Sequence, residues 1–136
     1  MIWLTALSQN FDPRLALSVA WIESSFNPEL VGKAGDTGLF QVVHWYVPET
    51  QEELLDPKLN AEVGIRVLKQ MRRKCSDMSD AASLWVLCYN HGVTGAHRIE
   101  QPLADKYYLR VSSTKDCLYQ YKQKEILSGK ANRCFK

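Results

Sequence analysis

The sequence predicts a mainly α domain, with helices gathered around one buried central segment and a glycine-rich loop or small β element beside them. Three observations carry this. Apolar residues recur at helical spacing in separate stretches. The pairs Asp12-Pro13 and Asp56-Pro57 each combine an N-cap acceptor with proline at the first helical position. Three of the seven glycines fall together at Gly32, Gly35 and Gly38, where no regular element can persist.

In chain order, the first predicted helix starts at Asp12-Pro13 and carries Leu15, Val19, Ile22 and Phe26 on one stripe. Asn27-Pro28 ends it, because proline disfavours helix in the residue before it. The loop 32–38 follows. Residues 39–43, Leu-Phe-Gln-Val-Val, fit either a short strand or a helical turn. From Asp56-Pro57 a helix is expected to about Arg73, with Leu59, Val63, Val67 and Met71 inward, Ile65 and Leu68 beside them, and Arg72, Arg73 and Lys74 suiting its C-terminal dipole. Residues 81–90, AASLWVLCYN, are apolar nearly all round, the mark of a central buried helix that Gly92 and Gly95 break. Pro102 opens a further helix through Tyr107, Tyr108 and Val111, and another is expected from about Thr114 to Leu127, closed by Gly129.

With 136 residues, 46% of them hydrophobic, the chain is expected to form one globular domain, 1–136. A net charge of +2 gives no case for nucleic acid as partner. The charge is uneven, however. Residues 103–136 hold eight Lys/Arg against three Asp/Glu, so 100–136 is read as a basic helical extension packed on the domain. Such an extension suits either a solvated face or an anionic polymer. The opening MIWLTALSQNF lacks a basic n-region, a sustained apolar core and a cleavage site, so it does not read as a secretory signal. No apolar run approaches the roughly 18–20 residues of a membrane span, and a soluble monomer is expected. Cys75, Cys88, Cys117 and Cys134 allow three pairings. Reduced thiols are expected, with Cys88 buried, while Cys117 and Cys134 are a pair that would join the tail to itself. His44, His91 and His97 show no ligand spacing, and no metal or cofactor is expected.

The chemically distinctive position is Glu23. It lies in the last turns of the first predicted helix, among Trp21, Ile22 and Phe26. The negative end of the helix dipole and poor solvation both oppose the ionised carboxyl and raise its pKa. A general acid working near neutral pH needs that state.

Four motifs then follow in order: Glu23-Ser24-Ser25-Phe26-Asn27-Pro28; Ala34-Gly35-Asp36-Thr37-Gly38-Leu39-Phe40-Gln41-Val42; Asp56-Pro57-Lys58-Leu59-Asn60-Ala61-Glu62-Val63-Gly64; and Tyr89-Asn90-His91-Gly92. Each alone is weak. Together, over about residues 12–99, they resemble the soluble lytic transglycosylase and goose-type lysozyme family. The resemblance implies a lysozyme-like fold acting on peptidoglycan glycan strands. It implies cleavage of the β-1,4 bond between N-acetylmuramic acid and N-acetylglucosamine. Glu23 would be the single acid/base, first protonating the leaving oxygen and then taking the proton of the muramyl C6 hydroxyl, which closes a 1,6-anhydro ring. The same match implies that Gln41 hydrogen-bonds substrate and that the Tyr89 hydroxyl serves near the acid. Ser24, Gly38, Phe40 and Asn90 complete the expected substrate-binding set, and Trp45 and Tyr46 are available to stack on a sugar face.

Two departures touch the chemistry. Gly32 stands where many members have a serine that binds an N-acetyl group. Asp36 lies where goose-type lysozymes use aspartate to position water, so an inverting hydrolysis with Asp36 holding water is the alternative to the transglycosylase, and Asp36 as a turn residue stays open beside it. A non-catalytic wall-binding module is a third possibility, against which the intact Glu23, Gln41 and Tyr89 speak. The site of action would be the periplasmic cell wall, with delivery by a phage virion, a lysis system or a secretion apparatus.

Overall fold

The computed structural model describes residues 1–80 and 82–136. Among the described residues it is mainly helical, 59%, with six α-helices and a two-stranded sheet. The helices are α1 (Ile2–Ser8), α2 (Pro13–Ser24), α3 (Pro57–Lys74), α4 (Val86–His97), α5 (Lys106–Leu118) and α6 (Gln123–Leu127). The strands are β1 (Asp36–Thr37) and β2 (Val42–Val43). The chain forms two compact units, Met1–Gln70 and Met71–Lys136.

In the first unit, α2 begins as its sequence dictates. Pro13 occupies the first turn and Asp12 Oδ1 accepts from the Arg14 N–H at 2.9 Å. Leu15, Ala16, Val19 and Ala20 are buried, whereas Ile22 is only half-buried. The helix stops at Ser24, two residues before the expected end. Ser25 (φ 52°) and Phe26 (φ 63°) are both left-handed, and the Ser25 N–H closes on the Trp21 carbonyl. This turn brings the Phe26 ring back to 5.5 Å from Trp21. α1 was not expected. It buries Ile2, Trp3 and Ala6 and packs on α2.

Residues 39–43 divide: 39–41 are a turn, and only Val42 and Val43 form a strand, antiparallel to Thr37 and Asp36. α3 starts where expected, and Val63, Ile65 and Leu68 are buried as expected, whereas Leu59, Val67 and Met71 are only half-buried. Asn60, Ala61, Val63, Gly64, Ile65 and Leu68 are inward. The reason is Phe40: a Cβ on Gly64 would lie 2.4 Å from the Phe40 Cβ, so the helix meets the loop at its small residue. The salt bridge of Arg66 to Glu49 (2.7 Å) fastens the connecting segment to the same helix.

That pair has a consequence in acid. Its hydrogen bond with Arg66 is the largest influence on the Glu49 carboxyl and holds it below the ordinary value of 4.5. A depressed folded-state pKa stabilises the fold above the unfolded value, and the contribution is lost as pH falls through the folded value. Arg66 is 41% exposed, so the effect should stay under about 1 kcal/mol. Glu49→Gln is expected to flatten the decline of urea-unfolding free energy below pH 4.5 by that amount; an unchanged acid limb would mean that the pair contributes nothing.

In the second unit the expected helix at 81–90 is shorter at its start. Ala81 lies outside the described residues, residues 82–85 are turns, and α4 begins at Val86. Trp85, Val86, Leu87 and Cys88 are nonetheless fully buried, as an all-apolar segment should be. Gly92 (φ 75°, ψ 163°) breaks the helical backbone of α4, in a region open essentially to glycine alone. The expected division between helices at 111–114 is absent. Asp105 caps α5 through the Tyr108 N–H (3.0 Å), and the helix runs on to Leu118. The break comes at 119–122, before a short α6 whose Lys122 N–H bonds Glu125 Oε1.

The reduced thiols expected from the sequence are also corrected. Cys75 bonds Cys88 and Cys117 bonds Cys134, leaving no free cysteine among the described residues. Cys88 is buried as expected, but its partner Cys75 is buried with it, a proximity created by the fold between α3 and α4. Among the described residues no helix is long and apolar enough to cross a membrane.

Candidate active site

Glu23 occupies the final turn of α2 and is half-buried. The adjacent Ser24 is buried, and its hydroxyl lies 2.9 Å from the Leu39 carbonyl and 3.0 Å from that of Ala20. With one proton to donate, it is shared between these two acceptors. Ser24 therefore acts on the backbone: it ties the helix end that bears Glu23 to the loop that follows Gly38.

That loop is held from within. Gly38 has φ +79°, and a Cβ there would lie 2.3 Å from Asn60 Nδ2 and 3.0 Å from the Leu54 carbonyl. Both the left-handed backbone and the close approach require glycine. Asn60, fully buried, donates from Nδ2 to the Thr37 (2.8 Å) and Leu54 (2.9 Å) carbonyls and accepts the Phe40 N–H at Oδ1 (2.9 Å). All three bonds go to backbone, so one side chain fixes the loop on both sides of Gly38. The sequence reading gave Asn60 no role of its own. The available signal was its place in the Asp-Pro-x-x-Asn motif, one turn into α3.

Gln41 is left-handed (φ 47°) and nearly buried. Its Nε2 donates to the Leu30 and Gly38 carbonyls, each at 2.9 Å. Two carbonyls on that side fix the amide orientation, with Nε2 toward them and Oε1 away. Phe40, expected among the substrate-binding residues, is instead completely buried against Gly64 and belongs to the core.

Asp36 pairs with Val43 in the sheet, and its backbone carbonyl accepts from the Gly32 N–H at 2.8 Å. Its carboxylate fills the space beside Gly32, where a Cβ would come within 2.2 Å of Oδ1. Gly32 and Asp36, noted separately in the sequence, are therefore one feature: the aspartate occupies the volume a side chain at position 32 would need. After β2, a 3₁₀ turn carries Trp45 and Tyr46, 58% and 81% exposed, with the Trp45 ring over the turn at Gly35. Two aromatic rings so exposed are rare in a core and well suited to stacking.

Tyr89 and Asn90 belong to the second unit. They lie in α4 just before the break at Gly92, Tyr89 half-buried and Asn90 exposed. Beyond this segment, His97 is flanked by the Val93 carbonyl (Nδ1, 2.7 Å) and Asp77 Oδ2 (Nε2, 2.7 Å).

A family model, the Transglycosylase SLT domain, matches residues 2–107. The match takes in α1 and the start of α5, beyond the span of the four motifs. No curated protein and no solved structure matched the chain. The family match covers Glu23, the Gly38 loop with its Asn60 clamp, and the Tyr89–Gly92 segment together, and on it the chain belongs to the Transglycosylase SLT domain family, whose members act on cell-wall peptidoglycan.

Proposed function

We propose that the protein is a lytic transglycosylase that cleaves the MurNAc-β-1,4-GlcNAc bond and leaves 1,6-anhydro-MurNAc, with Glu23 as its only acid/base. The observation that carries this is the setting of Glu23. It is a half-buried carboxyl at the negative end of α2, tied through Ser24 to a loop whose backbone is fixed by Asn60. Burial and the helix end both favour the protonated carboxyl that the first step consumes.

In that step Glu23 gives its proton to the glycosidic oxygen as the C1–O bond breaks and the leaving sugar departs as an alcohol. Positive charge develops at C1 and the ring oxygen, opposite the newly formed carboxylate. The Glu23 carboxylate then takes the proton from the muramyl C6 hydroxyl, and O6 bonds C1. Glu23 is restored and no water is consumed. One carboxyl suffices because the nucleophile belongs to the substrate, whereas hydrolysis would ordinarily call on a second. Gln41 Oε1 and the Gly38 loop backbone are assigned to holding the sugar, with Tyr89 and Asn90 as further substrate-binding residues and Trp45 and Tyr46 as a stacking face.

Hydrolysis with Asp36 orienting water is the alternative. The position of the Asp36 carboxylate beside Gly32 supports a turn-holding role instead. Asp36→Asn separates the two. For the transglycosylase it should slow the clearing of purified peptidoglycan by less than about fivefold, whereas loss of a water-positioning carboxylate should cost roughly a hundredfold or more. A loss of the latter size would overturn the transglycosylase.

A further inference from the structure

We propose that Cys75, Cys88 and His97 form a binding site for a zinc-like divalent cation when the Cys75–Cys88 disulfide is reduced. The site does not depend on the activity proposed above, and linear spacing hides it: 13 residues separate the two cysteines, and His97 lies at the far end of α4. In the fold, one ligand atom from each of Cys75, Cys88 and His97 lies within 4.8 Å of the others.

The second contribution comes from the surroundings of His97. Its Nδ1 is 2.7 Å from the Val93 carbonyl, a bond that holds the ring in one orientation. Its Nε2 is 2.7 Å from Asp77 Oδ2. Asp77 lies outside the cluster of ligand atoms, so this contact orients the ring beside the site. Two thiolates and one imidazole give three protein donors of the soft character zinc prefers, and a water takes the fourth tetrahedral position. The Cα atoms of the two cysteines are 6.9 Å apart. That leaves room for sulfurs standing about 3.8 Å from one another, as two Zn–S bonds of about 2.3 Å at a tetrahedral angle require. The two cysteines are buried and the His97 side chain is 38% exposed, so His97 is the ligand that meets solvent.

The chemistry balances with a reductant supplied from solution. A dithiol or phosphine reduces the disulfide to two thiols and is itself oxidised. The cation then displaces both thiol protons and any proton held between His97 and Asp77. Disulfide and cation are alternative staples between the end of α3 and α4, one for oxidising and one for reducing surroundings.

The test uses the full chain with Cys117 and Cys134 both replaced by serine, which removes competing thiols. After reduction with a phosphine and its removal under anaerobic conditions, Co²⁺ is titrated as a spectroscopic stand-in for zinc. One equivalent should bind, with the intense visible d–d bands of tetrahedral cobalt and a sulfur-to-cobalt charge-transfer band in the near ultraviolet, and zinc should displace it. The oxidised chain should show neither band. Cys75→Ser should abolish the spectrum, and His97→Ala should weaken binding by about tenfold or more. Octahedral-type weak absorption in the reduced protein, or tetrahedral bands unaffected by His97→Ala, would overturn the site. Circular dichroism of the reduced, metal-free protein provides the folding control. If that form is unfolded, the same titration followed by circular dichroism should show refolding on cobalt addition, and failure to refold would count equally against the proposal.

Discussion

Glu23→Gln is expected to lower the rate of glycan cleavage by at least about 10²–10⁴-fold, the usual contribution of a positioned acid or base, because the amide can neither give the first proton nor take the second. The helix-end geometry should survive. Glutamine is isosteric, Ser25 closes the helix through its own N–H, and the Ser24 hydroxyl ties the helix end to the Leu39 carbonyl. Unfolding free energy should therefore stay within about 1 kcal/mol of wild type. Release of soluble fragments from purified peptidoglycan gives the rate, and circular dichroism with urea denaturation gives the stability. Turnover near the wild-type level in a folded Glu23→Gln protein would remove Glu23 from the mechanism.

Asn60→Ala should be the most damaging substitution for stability in the first unit. It leaves the Phe40 N–H and the Thr37 and Leu54 carbonyls without their side-chain partner in a fully buried place. Unpaired buried groups of this kind cost about 1–3 kcal/mol each. Some are recovered by local relaxation, and a net loss of roughly 3–5 kcal/mol is expected, with a fall in melting temperature of about 10 °C or more. Asn60→Asp should be no better, since a carboxylate would face two carbonyl oxygens. Activity should fall with stability because Gly38 and Gln41 are ordered by the same side chain. A loss below about 1 kcal/mol on thermal and urea unfolding would show that the loop is held by other contacts.

The contrast between these two residues shows which parts of the protein the chain makes legible. Glu23 was visible from local facts alone: a helix with a strong start at Asp12-Pro13, a proline at 28 to end it, and a carboxyl left among apolar neighbours. The four motifs added a glycan-cleaving role, and the family match carries them together. Asn60 belonged to one of those motifs, yet its work is nonlocal. Its bonds reach 20 and 23 residues back to Phe40 and Thr37, and no periodicity reports such a contact. Phe40 failed for a related reason. An aromatic residue between a glycine loop and a valine pair looks equally suited to cleft or core, and Gly64 across the fold decides it.

The helices show the same division. α3 was read correctly in extent, because caps and basic last-turn residues are local, but its buried face was set by where Phe40 presses. The break at 119–122 carries no glycine or proline, and the helix after it starts where Glu125 Oε1 accepts the Lys122 N–H. The Cys75–Cys88 disulfide is the largest miss, whereas Cys117 and Cys134 are the pair the sequence offers for joining the tail to itself. Thiol pairing is a matter of spatial proximity, and Cys75 and Cys88 meet only once α3 and α4 are in place. Gly32 and Asp36 illustrate the reverse case, two oddities in the sequence that one side-chain position explains.

The central claim is that the sugar's own C6 hydroxyl, rather than water, receives the bond at C1. Digestion of purified peptidoglycan in ¹⁸O-enriched water, followed by mass spectrometry of the muropeptides, reads this directly. A lytic transglycosylase leaves chain ends one water lighter than reducing ends and carrying no ¹⁸O. Reducing ends labelled with ¹⁸O would contradict it and identify a hydrolase.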